Sequence, residues 1–288
     1  MNALISSPSS VAPDQYLTTN RRTLTYRDVG SGKPVVLCPC LRGGIDAWDP
    51  AFLDNLVYNG LRVITFDYAH VDRFRDAIRG DLRSAALDPA ELIEGLDLVD
   101  VVIAGWSVGG LIAQAVLASG IDRLSHGVLL ATPPPGAIDE VAMGALIAWA
   151  CAPPRPLEEE IVALVDENSS AGLAAAQRST NRIAGSGRGA GRQLCWRTLA
   201  MDEAPPRSHD DAMPCSPETL LPLASSSIPL LHVGGGRDRL APVDGWHELS
   251  GRLPNLQVIT LACAGHGPHF EFPEAVADYI TTFTRTTP

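Results

Sequence analysis

Lysine is almost missing from this chain: Lys33 stands alone against 21 arginines. With 33 acidic residues the formal net charge is −11, and no basic stripe is visible. That excludes a nucleic-acid partner as the expectation, because a phosphate-binding surface needs concentrated positive charge. Long apolar runs are missing too, so no bilayer-spanning helix and no membrane role are expected. Met1–Gln15 is rich in Ser and Pro and has neither a basic start nor an apolar stretch. It reads as a flexible tail and not as a signal peptide, which predicts a cytoplasmic protein. The six cysteines (Cys38, Cys40, Cys151, Cys195, Cys215 and Cys263) show no metal-ligand spacing, and reduced thiols are expected. Cys38-Pro39-Cys40 is too short for a comfortable bridge and lacks the second half of a metal set. No metal and no organic cofactor is implied, and no internal repeat is visible.

What is present is an ordinary globular composition, 45% hydrophobic and 19% charged over 288 residues, enough for one large α/β domain or a domain plus a lid. Strands are predicted at 23–29 (alternating, like an edge), 34–38, 62–66, 101–104, 127–131, 228–233 and 257–261. Helices are predicted between them at 48–59, at 89–98 behind an Asp88 cap, at 108–119, around 242–253 and at 273–284. Strand runs that are apolar throughout point to a parallel sheet covered on both faces. Past Thr132-Pro133-Pro134-Pro135 the pattern turns helical, around 139–151, 156–167, 171–183 and 192–201, with no convincing strand before residue 228. The expected fold is α/β, a doubly wound and mostly parallel sheet carrying an inserted helical cap. Residues 1–15 would form the tail, 16–135 and 226–288 the core, and 136–225 a cap over the sheet's C-terminal edge.

One stretch is chemically pointed. The apolar run 101–104 stops on Gly105-Trp106-Ser107-Val108-Gly109 and continues into Gly110-Leu111-Ile112-Ala113. A buried strand turning sharply into a helix presents the serine hydroxyl at the apex, clear of the sheet and at the positive end of the helix. Serine needs a base to remove its proton, and a histidine base needs an acid to fix its tautomer. The run 228–233 leads into Gly236-Arg237-Asp238, and 257–261 leads into Gly265-His266-Gly267. Each therefore offers its group just past a strand. In this order, with Pro242 after the acid and Phe272-Pro273-Glu274 after the histidine, the chain over roughly 20–287 resembles the α/β-hydrolase fold superfamily in its capped branch. The resemblance implies Ser107 as nucleophile, Asp238 as orienting acid and His266 as general base. Asp139 is the alternative acid.

The sequence departs from that family after the first core strand, where Pro39-Cys40 stands in the usual His-Gly places. Leu41 keeps an N–H, so the oxyanion hole is assigned to the Leu41 and Val108 backbone amides. Cys40 as a second nucleophile is a minor alternative. Arg42, Trp48, Trp106 and His269 are the candidates for contact with substrate. Arg42 would meet a carboxylate and the tryptophans would be apolar walls, whereas His269 would line the pocket or stand behind it. Asp67 is read as structural. A serine nucleophile implies an acyl-enzyme, and apolar segments such as 143–149 favour a small-to-medium apolar ester or lactone. C–C bond or thioester hydrolysis, and a non-hydrolytic binder or biosynthetic catalyst, are the alternatives. A homodimer is a possible assembly.

Overall fold

The computed structural model describes residues 7–20, 22–40, 44–69, 82–136, 145, 148–149, 155–186 and 217–287. Eight strands form one sheet: β1 (Gln15–Thr18), β2 (Thr23–Gly30), β3 (Lys33–Cys38), β4 (Leu61–Phe66), β5 (Val101–Trp106), β6 (Leu124–Leu130), β7 (Leu230–Gly235) and β8 (Leu256–Leu261). Their spatial order is β1-β2-β4-β3-β5-β6-β7-β8. The pairs β1/β2 and β2/β4 are antiparallel and every other pair is parallel. β5 and β7 are buried along their whole length, as the unbroken apolar runs require.

Ten helices are described: α1 (Pro8–Val11), α2 (Pro50–Tyr58), α3 (Leu82–Gly95), α4 (Val108–Ala118), α5 (Leu157–Val162), α6 (Ser170–Gly185), α7 (Pro217–Ser225), α8 (Asp244–Ser250), α9 (Pro268–Glu271) and α10 (Pro273–Thr286). From β3 the chain steps one way to β4, then crosses back to β5 and continues the other way to β8. Right-handed crossovers then place α2 on one face and α3 and α4 on the other. In agreement, α2 packs with α10 and α3 with α4. The reversal beside β3 opens the crevice at the carboxyl ends of β3 and β5, where open α/β sheets hold ligands.

Three local expectations change. The alternating strand 23–29 is not the edge of the sheet, because β1 pairs outside it with Thr18 opposite Thr23. Part of the expected tail is ordered: the Ser9 N–H donates to Asp54 at 2.9 Å, and Asp14 pairs with Arg27 at 2.8 Å. The helix predicted from residue 89 starts at Leu82 and passes through Pro89. Asp88 is therefore not a cap. It is fully buried, accepts the Ala69 N–H at 3.0 Å and pairs with Arg22 at 2.8 Å.

Of the inserted stretch, α5, α6 and α7 are described. The helix expected at 192–201 and most of that expected at 139–151 lie outside the described residues. α7 packs against α4 of the core. Among the described residues no helix is long and apolar enough to cross a membrane.

Candidate active site

The turn leaving β5 is built from small residues around one hydroxyl. Ser107 sits at φ 56° and ψ −123°, a conformation that costs a residue with a side chain on the order of 1–3 kcal/mol. Neighbouring backbone holds it there. The Ser107 N–H donates to the Leu130 carbonyl at 2.9 Å, and the Ser107 carbonyl accepts the Gly110 N–H at 3.0 Å. A Cβ on Gly105 would collide with the Gly109 carbonyl, and a Cβ on Gly109 with the Cys38 carbonyl. Glycine at both places lets α4 meet β5 and the end of β3 backbone to backbone.

Asp238 and His266 arrive on the loops after β7 and β8. His266 Nε2 lies 2.8 Å from Ser107 Oγ, and His266 Nδ1 lies 2.9 Å from Asp238 Oδ2. Asp238 Oδ1 accepts the Leu240 and Ala241 N–H groups at 2.8 and 2.9 Å, which fixes the carboxylate plane. An acid at Nδ1 selects the tautomer with its proton there and leaves the Nε2 lone pair facing the serine hydroxyl. All three side chains are buried, so these contacts act in a medium that screens them weakly. The arrangement is able to move the Ser107 proton to His266 and to stabilise the resulting imidazolium on Asp238.

The other candidates divide. Trp106 lies under the histidine loop, and its Nε1–H donates to the His266 carbonyl at 2.8 Å. Trp48 is buried beside it, with ring centroids 6.3 Å apart. His269 is fully buried among Trp48, Phe52, Trp106 and Phe270, at centroid distances of 5.3, 5.5, 4.6 and 4.1 Å. Burial first, and the neighbouring His266 second, push its pKa down to about 3. It is a neutral ring standing behind His266. Val108 opens α4, and its amide is one of the first-turn donors that have no acceptor within the helix. Leu41, Arg42 and Asp139 lie outside the described residues. The chain leading to Leu41 is nonetheless placed: Cys40 is buried, and the Pro39 carbonyl accepts the Tyr68 hydroxyl at 3.3 Å. Asp67 Oδ1 accepts the Ile45 N–H at 2.8 Å just past that loop, a holding role that fits its structural reading.

The alpha/beta hydrolase family profile matches residues 35–279, from β3 to α10. The chain belongs to this family. Among its relatives is the Mycobacterium tuberculosis protein BpoC, whose name assigns it provisionally to the non-heme bromoperoxidases. The two are 28% identical over 259 residues, covering 88% of this chain and 94% of BpoC. Among solved structures, an alpha/beta hydrolase fold protein from Chitinophaga pinensis superposes with a TM-score of 0.72 at 21% identity, covering 96% of this chain and 99% of that one. A thermophilic esterase from Thermogutta terrifontis superposes with a TM-score of 0.65 at 22% identity, with coverage of 96% and 99%.

Within this member of the alpha/beta hydrolase family, two features of the site escaped the sequence. Trp149, from the inserted stretch, sets its indole edge-on to the His266 ring at 6.1 Å. The turn after α5 also reaches the histidine loop, where the Gly267 N–H donates to the Leu164 carbonyl at 2.7 Å. Periodicity reports that these segments are helical and apolar, but carries no signal of which loop they touch.

Proposed function

We propose that the chain is a serine hydrolase that cleaves a carboxylic ester or lactone of a small-to-medium apolar substrate through an acyl-enzyme on Ser107. The observation that carries this reading is the unbroken hydrogen-bond line Ser107–His266–Asp238, seated on the loops that follow β5, β8 and β7. His266 takes the Ser107 proton as Oγ attacks the carbonyl carbon. The tetrahedral oxyanion is met by the Val108 amide and, on this proposal, by that of Leu41. His266 then protonates the leaving alcohol, and the acyl group stays on Oγ. A water deprotonated by His266 releases the acid and restores the serine. Beyond the substrate and one water, each step uses only groups of the chain.

The apolar preference is supported by Trp149, Leu164 and Val165, all buried and all from the inserted stretch that comes down on the histidine loop. On this reading residues 136–225 act as a cap whose underside forms a wall of the pocket. The esterase among the similar structures agrees with this chemistry, although that likeness is one of fold.

A panel of p-nitrophenyl esters of rising acyl length, aromatic lactones and vinylogous diketones tests the proposal. Wild-type protein should turn over esters or lactones, and Ser107→Ala should lose turnover by several orders of magnitude while keeping its fold. Activity confined to the diketones would replace ester cleavage with C–C cleavage. Ser107→Ala within about tenfold of wild type would remove the acyl-enzyme altogether.

A further inference from the structure

Behind the serine–histidine–aspartate line lies a buried carboxyl group that this chemistry does not use. Glu271 ends α9 and is 6% exposed. Its Oε1 accepts the Gly265 N–H at 2.6 Å, on the residue directly before His266. The Asp166 backbone amide faces the same carboxyl and acts to lower its pKa. Asp166 belongs to the turn between α5 and α6, and that turn rests on the histidine loop at backbone contact. The Gly267 N–H donates to the Leu164 carbonyl at 2.7 Å. A Cβ added to Gly265 would lie 2.6 Å from the Val165 carbonyl carbon and 2.9 Å from the Leu164 carbonyl oxygen. The loop carrying the base and the inserted segment above it therefore meet at this one carboxyl group.

We propose that Glu271 is a positioning residue that fixes the His266 loop and, with the same carboxyl group, seats the inserted segment 164–166 over the active site. Its kinetic consequence rests on the serine-hydrolase reading, whereas its structural consequence does not. An ionised carboxylate accepts strongly from the Gly265 amide and attracts that of Asp166, and a protonated one gives up part of that capacity. The charged groups facing it, among the described residues, are Asp166 from the inserted segment and Asp238 from the β7 loop, with Asp166 the stronger of the two. Burial is the main cause and these two carboxylates are minor ones. Together they push the Glu271 pKa up to about 7, against the pull of the two amides. Its charge therefore changes across neutral pH, and because burial disfavours the ionised form, the hold on both segments depends on pH through that value and weakens as pH rises past it.

Two measurements on wild type, Glu271→Ala and Glu271→Gln test this. The first is hydrogen–deuterium exchange of the full chain without substrate. Amides in 164–166 and 264–267 should exchange at least tenfold faster in Glu271→Ala and by a smaller factor in Glu271→Gln, which keeps one acceptor. The second is the rate of Ser107 labelling by a fluorophosphonate as a function of pH. It should fall at least tenfold in Glu271→Ala and a few-fold in Glu271→Gln, and Glu271→Gln should lack one ionisation near pH 7 that wild type shows. Unchanged exchange in both segments overturns the proposal whatever happens to labelling. So does altered exchange with labelling rates and pH profile identical to wild type. Should Glu271→Ala fail to fold, the near-isosteric Glu271→Gln carries both readings. Wild-type protein that is never labelled would count against the Ser107 chemistry and leave the exchange result standing.

Discussion

His266 and His269 are three residues apart on one loop and live in opposite surroundings. Both ring nitrogens of His266 are engaged, one by Ser107 and one by Asp238. Among the described residues neither ring nitrogen of His269 has a partner, and four aromatic rings surround it. The first is arranged for proton transfer and the second for packing. His266→Ala should lower ester turnover by about a thousandfold or more with little change in stability. His269→Ala should keep turnover within about tenfold and lose roughly 3 kcal/mol of stability, because it empties a packed site. Paired kinetics and denaturant melts check this, and the reverse ranking would move the base to His269. Asp238→Asn should keep the shape of the site and favour the wrong imidazole tautomer, lowering kcat by on the order of 10³–10⁴. A near-silent Asp238→Asn would require another acid.

Among the described residues, helix α6 is tied to the core by one ion pair. Arg182 meets Asp49 with two contacts of 2.8 and 2.5 Å. Asp49 is fully buried at the start of α2, where it also caps the Ala51 N–H at 2.8 Å. Removing the arginine strands a buried carboxylate, which costs more than an exposed pair and less than a fully enclosed one because Arg182 is partly open to water. Arg182→Ala should therefore cost about 2 kcal/mol and speed proteolysis within 170–186. Unchanged cleavage would show that α6 is held by its apolar face alone.

This tie also marks the limit of what the sequence tells. The elbow was legible because a six-residue apolar strand, two glycines and an apolar helix are all local signals. Asp238 and His266 were legible because each follows its own strand by a few residues. Asp49 and Arg182 stand 133 positions apart, and no periodicity links them. Asp88 before Pro89 carries the local signature of a helix cap, and that signature misled. A buried arginine and the amide after β4 claim its carboxylate, so the helix runs on through the proline. Glu271 carries no local signal, because its contacts with the Gly265 amide and the 164–166 turn exist only once the loops are folded.

At the scale of the whole molecule, buried titrating groups set how stability follows pH. Burial pushes His232 and His269 each down to about 3. In the unfolded chain they bind protons near pH 6.5 and in the folded chain they do not, so their contribution is lost as pH falls below about 6.5 toward 3. Glu271 has the opposite sign. Its pKa is raised from 4.5 to about 7, so its contribution is lost as pH rises through that window. Two histidines against one glutamate give a net gain in stability from about pH 4 to 6.5. Urea midpoints across that range should show it, with a shallower rise in His232→Phe. A flat profile in wild type would mean that water reaches both rings.

The sheet, with its chain reversal beside β3, and the inserted segments converge on one claim: Ser107 is an activated nucleophile. Incubation of the native protein with a fluorophosphonate, read by intact mass and peptide mapping, tests it most directly. A single adduct on Ser107 is expected, lost in Ser107→Ala and formed far more slowly in His266→Ala. Native protein that stays unmodified, or modification that survives Ser107→Ala, would contradict it.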